Sequence, residues 1–287
     1  MIFAFIRDHL VPQFTVLDCC RVLKVSRSGY YRWIKTPVGM RELRRDELVN
    51  HIRIMHEQSR RTYGAPRIHQ ALRHRGVIRN RKTIARMMRE NGIQSKIARR
   101  FKVRTTDSNH GHAVALNHLD RRFNIAARNS VWLCDITCIP TGEGFLYLAG
   151  VMDLFSRRIV GWSMASHLRV ELVDAALTMA VTQRDPGLGL VHHSDRGVQY
   201  CCGRYRELME SWGMIASMSR RGDCYDNAPK ESFWATLKKE LMSDVRFVTR
   251  EEARAAIFEY IEVFYNRQRI HSSLGYVSPE QFEASRS

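Results

Sequence analysis

Residues 130–140, SVWLCDITCIP, alternate with the two-residue period of a β-strand. Val131, Leu133, Asp135, Thr137 and Ile139 fall on one side; Trp132, Cys134, Ile136 and Cys138 fall on the other. Both sides are largely apolar, the pattern of a central strand covered on both faces. Asp135 breaks that pattern. A lone carboxylate there is costly unless it is paired or bound to a metal. An aspartate satisfied at a strand end is the bland alternative.

Working outward, GFLYLAGVMDLF (144–155) and RRIVGWSMA (157–165) read as two more strands, with a tight connection at 156–158. Three consecutive strands predict an antiparallel meander. RVELVDAALTMAVTQR (169–184) carries Leu172, Ala175, Ala176 and Met179 on one helical stripe. LVHHSDRGVQY (190–200) is a short apolar strand running into a polar turn. Asp195 lies at its C-terminal end, where open α/β sheets commonly place active sites. A helix over 200–211, a strand at 214–219 and the Gly- and Asp-rich loop RRGDCYDNAP lead to KESFWATLKKEL (230–241). Phe233, Leu237 and Leu241 share one face of that last helix. The order β-β-β-α-β-α-β-α predicts an α/β fold, a mixed five-stranded sheet with flanking helices. A further helix over 250–266 buries Ala253, Ile257, Ile261 and Phe264. The segment YNRQRIHSSL after it supplies Arg267, Arg269 and His271, expected to form a DNA-facing tail; simple surface charge is the alternative.

The front of the chain has another character. The 287 residues carry a net charge of +17. Residues 1–110 hold 25 Lys and Arg against 8 Asp and Glu, whereas residues 111–287 hold 21 of each. Charge gathered in one part of a chain favours a polyanionic partner through phosphate contacts and counterion release. In FTVLDCCRVLKVSRSGYYRW (14–33), Val16, Cys19, Cys20 and Leu23 form a short stripe, and Ser26 caps a second helix ending near Trp33. The pattern returns at 63–93. Pro66 suits a first turn, Gly76 breaks the first helix, Asn80 caps the second and Gly92 ends it. Ile68, Ala71, Leu72, Ile84, Met87 and Met88 face inward; Arg79, Arg81, Lys82, Arg86 and Arg89 face outward. Two such pairs predict helix-turn-helix modules whose basic faces bind DNA; basic hairpins that merely pack on their neighbours are the alternative. The expected organisation is an N-terminal helix-turn-helix region (1–58), a second module (59–96), a basic linker (97–127) with strand-like character at 101–103, and an α/β core with a helical tail (128–287).

Asp135, Asp195 and Glu231 come from distant elements, and three such acids are able to converge on one point. Phosphoryl transfer gives the three acids a purpose. Two divalent ions, about 3.5–4 Å apart, activate an attacking oxygen and stabilise a leaving one, and they take hard carboxylate ligands. Lys238 lies seven residues after Glu231, nearly two helical turns, and stacks beneath it. It is suited to hold a DNA phosphate; an exposed surface lysine is the alternative.

The strings WLCDIT, HHSDRGVQY, SMSRRGDCYDNAPKESFWATLKKEL and YNRQRIHSSLGYVSPEQF, in this order, resemble OrfB-type insertion-sequence transposases of the retroviral integrase and DDE transposase superfamily. The likeness runs over almost the whole chain. It implies a ribonuclease-H-like core using two Mg2+ or Mn2+ ions. Cleavage would fall at element ends, and the freed 3′-hydroxyl would attack target DNA. By position, Asp135, Asp195 and Glu231 become the metal ligands, Lys238 the accompanying basic residue and Asn227 a residue shaping the site. It further implies double-stranded DNA as partner, a homo-oligomer on that DNA, and an upstream-frame partner protein, separate or fused. A non-catalytic DNA-binding regulator of transposition and a nuclease acting on RNA–DNA hybrids are the competing readings.

Seven cysteines without a C-x-x-C pair indicate neither a disulfide framework nor a zinc site, and fit a reducing cytosol; the resemblance implies a bacterial cytoplasm, with nucleoid association when DNA is bound. The opening MIFAFIRDHLV is too short and too charged for a secretory leader, and no stretch approaches a membrane span.

Overall fold

The computed structural model describes residues 2–11, 13–35, 39–96, 114–220, 224–243 and 245–286. The strand-like stretch expected at 101–103 lies outside them. Among the described residues, no helix is long and apolar enough to cross a membrane.

The chain opens with α1 (Ile2–Phe5), a π-helical turn (Ile6–Leu10), α2 (Val16–Val22) and α3 (Arg27–Lys35). Thr15 caps α2 by accepting the Asp18 N–H at 3.2 Å, and Ser26 caps α3 by accepting that of Gly29 at 3.2 Å. Ile6, Cys19, Cys20 and Tyr30 close a small core. Next come α4 (Met40–Gln58), α5 (Ala65–His74) and α6 (Arg81–Glu90). Asn80 caps α6 through the Lys82 N–H at 2.8 Å. Gly76 and Gly92 end α5 and α6 with φ of +79° and +65°, where a side chain would be strained. Nothing in the sequence pattern marked 40–58 as one long helix. It packs Leu48, Val49, Ile52 and Met55 against Ile68, Leu72, Ile84, Met87 and Met88, so α4–α6 form a three-helix unit.

The remainder is built on one sheet of five strands: β1 (Val131–Thr141), β2 (Gly144–Asp153), β3 (Ile159–Ala165), β4 (Val191–Ser194) and β5 (Ile215–Met218). Their spatial order is β3-β2-β1-β4-β5. β1, β2 and β3 are the expected antiparallel meander, and β4 and β5 add in parallel beside β1. The helices are α7 (Val170–Arg184), α8 (Val198–Cys201), α9 (Gly203–Ser211), α10 (Ala228–Met242), α11 (Arg250–Glu259) and α12 (Pro279–Ala284). This is the ribonuclease-H-like mixed sheet with flanking helices, preceded by helical modules. Two boundaries differ from the sequence pattern. Cys202 is extended, so the helix expected over 200–211 is two pieces. The helix expected over 250–266 passes into a π-helical turn at Tyr260–Tyr265.

β1 is central and covered on both faces. Val131, Leu133 and Ile139 join Phe233, Trp234 and Leu237 of α10 in one apolar cluster, which continues through α11 to the α4–α6 unit. Trp132, Cys134 and Ile136 join α7, α8 and α9 in the other. Residues 114–125 pack on the same core: the His118 N–H donates to Ser217 Oγ at 2.9 Å, and Leu119 is buried.

Gly161 lets α7 lie close on β3. A Cβ there would fall inside the contact distance of the Ala176 carbonyl oxygen and the Ala180 methyl. Because backbone cannot yield as a side chain does, Gly161→Ala should lose about 3 kcal/mol or more of stability in urea titrations.

His192 and His193 are buried in β4. His192 Nε2 meets the Tyr205 hydroxyl at 2.8 Å, and His193 meets Ser217 at 2.9 Å and Ser219 at 3.1 Å. Burial pulls their pKa values down to about 3 and about 4 from an ordinary 6.5. The unfolded chain therefore binds more protons than the folded one between pH 6.5 and 4. The stability present above that window is lost as pH falls through it. His193→Asn should shrink the fall in unfolding free energy between pH 7 and pH 5, relative to the unmodified chain, in paired denaturation curves.

Candidate active site

The parallel pairing of β1 with β4 sets the site. Its last registered pair is Cys134 with Ser194, so the next residues on the two strands are Asp135 and Asp195. Each retains some solvent exposure. Asp135 Oδ1 accepts the Ile136 N–H at 2.8 Å, and Oδ2 accepts Trp234 Nε1–H at 2.9 Å. Asp195 Oδ1 accepts the Gly197 N–H at 2.9 Å. Desolvation, then the neighbouring charge of Asp195, holds the Asp135 carboxyl well above the usual carboxylate range. Like charges brought together in a poorly hydrated place are what a cation would relieve. Two oxygen donors of this kind suit a divalent ion.

The other predicted site residues ride on α10, whose Phe233, Trp234 and Leu237 are buried as the spacing predicted. Lys238 is half-buried; burial lowers its pKa against the pull of Cys138 and then Asp135, and it lines a cavity with Pro140, Thr141 and Met242. Asn227, just before α10, is buried, its amide nitrogen 3.5 Å from the Cys134 carbonyl oxygen. Glu231 stands apart. It is exposed, and its carboxyl is raised by partial desolvation alone, with no contribution from either aspartate. Among the described residues, no three His, Cys, Asp or Glu side chains are arranged to hold a metal.

The residue missed by sequence reasoning is Lys230. It is fully buried, with Nζ 4.6 Å from the Trp234 ring and 5.1 Å from that of Phe233. Nζ has no hydrogen-bond partner among the described residues. Burial lowers its pKa, against the pull of Cys134 and Asp135. Gly150, directly across from Asp135 on β2, makes the room: a Cβ there would lie 2.7 Å from Lys230 Nζ and 3.0 Å from Trp234 Cη2. The four-residue step from Lys230 to Trp234 was the signal in the sequence.

Residues 126–224 match the Integrase core domain family, residues 231–286 match a second Integrase core domain family, and residues 43–101 match the HTH-like domain. The chain is 46% identical over 263 residues to the insertion element IS600 uncharacterized 31 kDa protein of Shigella sonnei, covering 92% of this chain and 96% of that one. It is 40% identical over 285 residues to transposase InsF for insertion sequence IS3A of Escherichia coli (strain K12), covering 99% and 98%. The chain belongs to the OrfB-type insertion-sequence transposases. Among solved structures, the HTLV-2 integrase catalytic core domain in complex with magnesium is 17% identical with a TM-score of 0.41, over 55% of this chain and 96% of that one.

On the helical side of the transposase, Arg79, Arg81, Lys82, Arg86 and Arg89 are all exposed. Arg79 and Arg86 line a groove of about 690 Å³ together with Arg41, Arg44 and Arg45 of α4, three arginines that the helix-turn-helix pattern did not single out. Arg267 is exposed and lies 3.9 Å from Glu280. Arg269, expected to face DNA, is instead buried. Its guanidinium pairs with both oxygens of Glu240 at 2.7 and 2.8 Å, because the planar fork matches a carboxylate and α10 brings one within reach.

Gly150→Val should disturb this wall directly. It should lower stability by about 1–3 kcal/mol in denaturant titration, since Trp234 and Lys230 must both move.

Proposed function

We propose that this transposase cleaves the strands at insertion-sequence ends and joins the freed 3′-hydroxyl to target DNA, as a metal-dependent polynucleotidyl transferase. The observation that carries the reading is the Asp135–Asp195 pair, two carboxylates at the adjoining ends of paired strands, with burial and the neighbouring charge raising the proton affinity of Asp135. Mg2+ or Mn2+, two ions held by Asp135, Asp195 and Glu231, would supply Lewis-acid activation of the attacking oxygen and neutralise the leaving one.

The chain's own residues do the rest. Trp234 and the Ile136 N–H aim the two oxygens of Asp135. Lys238 presents its ammonium to a scissile or neighbouring phosphate, and Asn227 supports the strand beneath. Glu231 follows Lys230 on α10, about 100° further round the helix. A turn of α10 when DNA binds would carry Glu231 towards the pair and Lys230 away from it. Duplex DNA, both element ends and target, is held by the basic faces of the helical modules, including Arg79, Arg81, Lys82, Arg86, Arg89 and Arg267. Pairing of two ends calls for a homo-oligomer, with an upstream-frame protein, separate or fused, adding end recognition. The setting is the bacterial cytoplasm, on the nucleoid.

The exposed position of Glu231 favours one second reading: a DNA-binding regulator that occupies ends without cutting them. The test is nicking and joining of a labelled element-end duplex with Mg2+ or Mn2+, with and without the upstream-frame protein. Products should need the metal, and Glu231→Gln should reduce them at least a hundredfold while leaving duplex affinity within about twofold. Undiminished product from that variant would falsify the catalytic assignment. Tight binding that never yields product, partner included, would establish the regulator.

Metal binding should also release a proton, because Asp135 must give one up. Mn2+ titrated calorimetrically in buffers of different ionisation enthalpy should show that release, and apparent affinity should fall as pH is lowered. Asp135→Asn should abolish the buffer dependence.

A further inference from the structure

Behind α10, on the side away from Asp135, lies a cavity of about 330 Å³. Three arginines line it: Arg67 from α5, Arg157 from the β2–β3 turn and Arg269. No carboxylate is among its lining residues. Arg269 is neutralised by Glu240, but Arg67 and Arg157 have no carboxylate partner among the described residues. The carboxylates that act on them electrostatically are Glu240 and Asp153, and both are engaged elsewhere, Glu240 with Arg269 and Tyr260, Asp153 with Arg184.

Arg157 is the most telling residue. Its Nη1 is buried with no hydrogen-bond partner among the described residues. Its backbone sits in the left-handed region at φ +62°, a conformation a non-glycine side chain adopts at a cost. His271 is pressed towards its neutral form by burial and by Arg269, Arg67 and Arg157, so it adds a polar group without further charge. Ser232 and Ser272 place hydroxyls on the wall, and the first turn of the fifteen-residue α10 opens onto the cavity at Ala228 and Pro229. Donors converge, no acid answers them, and one donor is orphaned. An oxyanion with several acceptor atoms satisfies all three conditions.

We propose that this cavity binds a backbone phosphate of the DNA, gripped by Arg67 and Arg157 where the α4–α6 unit meets the α/β core. Arg67 belongs to the helical unit and Arg157 to the sheet, so one phosphate bridges both. The choice of DNA as the source of the phosphate rests on the proposed function; the anion chemistry does not. Because the pocket and the acid pair lie on opposite sides of α10, a phosphate seated there also bears on the helix that carries Glu231.

The test uses the full chain and two probes. Inorganic phosphate, compared with chloride at matched ionic strength, should raise the melting temperature of the unmodified protein and not of Arg157→Gln. A fluorescent element-end duplex should bind Arg67→Gln and Arg157→Gln three- to tenfold more weakly, with the log–log salt slope reduced by about 1 for each. Circular dichroism checks folding, and Arg157→Lys, which keeps the charge, should recover most of the affinity if Arg157→Gln folds poorly. Unchanged duplex binding together with lost phosphate stabilisation would assign the pocket to a free phosphate and overturn the DNA assignment. Unchanged behaviour with both probes would overturn the pocket altogether. A protein that binds no duplex, yet is stabilised by phosphate through Arg157, would break the DNA reading and leave the anion site standing.

Discussion

The rest of the structure is arranged around a carboxylate in the middle of a strand that is covered on both faces. Asp135 cannot be moved off β1, because Leu133 and Ile139 are buried on one face and Cys134 and Cys138 on the other. A one-residue slip would exchange the two apolar sets between faces and carry Asp135 to the other side of the sheet. The register that protects the core therefore also fixes the acid, and the parallel register with β4 brings Asp195 beside it. What results is repulsion between neighbours in a poorly hydrated place, offset in part by the Trp234 and Ile136 donors. Gly150 completes the arrangement by leaving its space to Trp234 and Lys230.

α10 joins these features to everything else. Near its C-terminal end, Glu240 takes a bidentate pair from Arg269 and a hydrogen bond from the Tyr260 hydroxyl at 2.8 Å, all of them buried. Buried pairs of this kind contribute little net stability, but breaking one by removing a partner is costly. Their effect here is to tie α10 to the C-terminal segment. Tyr63 then accepts the Ile270 N–H at 2.8 Å and links that segment to the helical unit. The start of α10 carries no ion pair of this kind: Asn227 and Trp234 bond to β1, Asn227 gives no side-chain cap, and Lys230 is buried without a hydrogen bond among the described residues. In the proposed function, that difference between the two ends bears on how Glu231 reaches the acid pair.

Most of the sheet was legible in the sequence because alternation is a local signal. Val131 to Ile139 show their two faces without reference to any other element, and Phe233, Leu237 and Leu241 show theirs. Caps were legible for the same reason: Ser26 and Asn80 bond to N–H groups two or three residues away. α4 was hidden, since its buried residues crowd into Leu48–Met55 behind a run of exposed charge. The inward turn of Arg269 was hidden too, because it is decided by Glu240, twenty-nine residues earlier in the chain and on another helix.

The sequence by itself determined the order of elements along the chain, the basic front and the family, since these follow from periodicity, composition and motif order. Tertiary structure alone decided which charges are buried and which are free. That depends on what each side chain meets after folding: Lys230 rather than Glu231 beside Asp135, Arg269 locked to Glu240, and Arg67 and Arg157 facing a cavity without an acid. Electrostatic roles are set by distance in space and by exclusion of water, and neither is written in the spacing of residues.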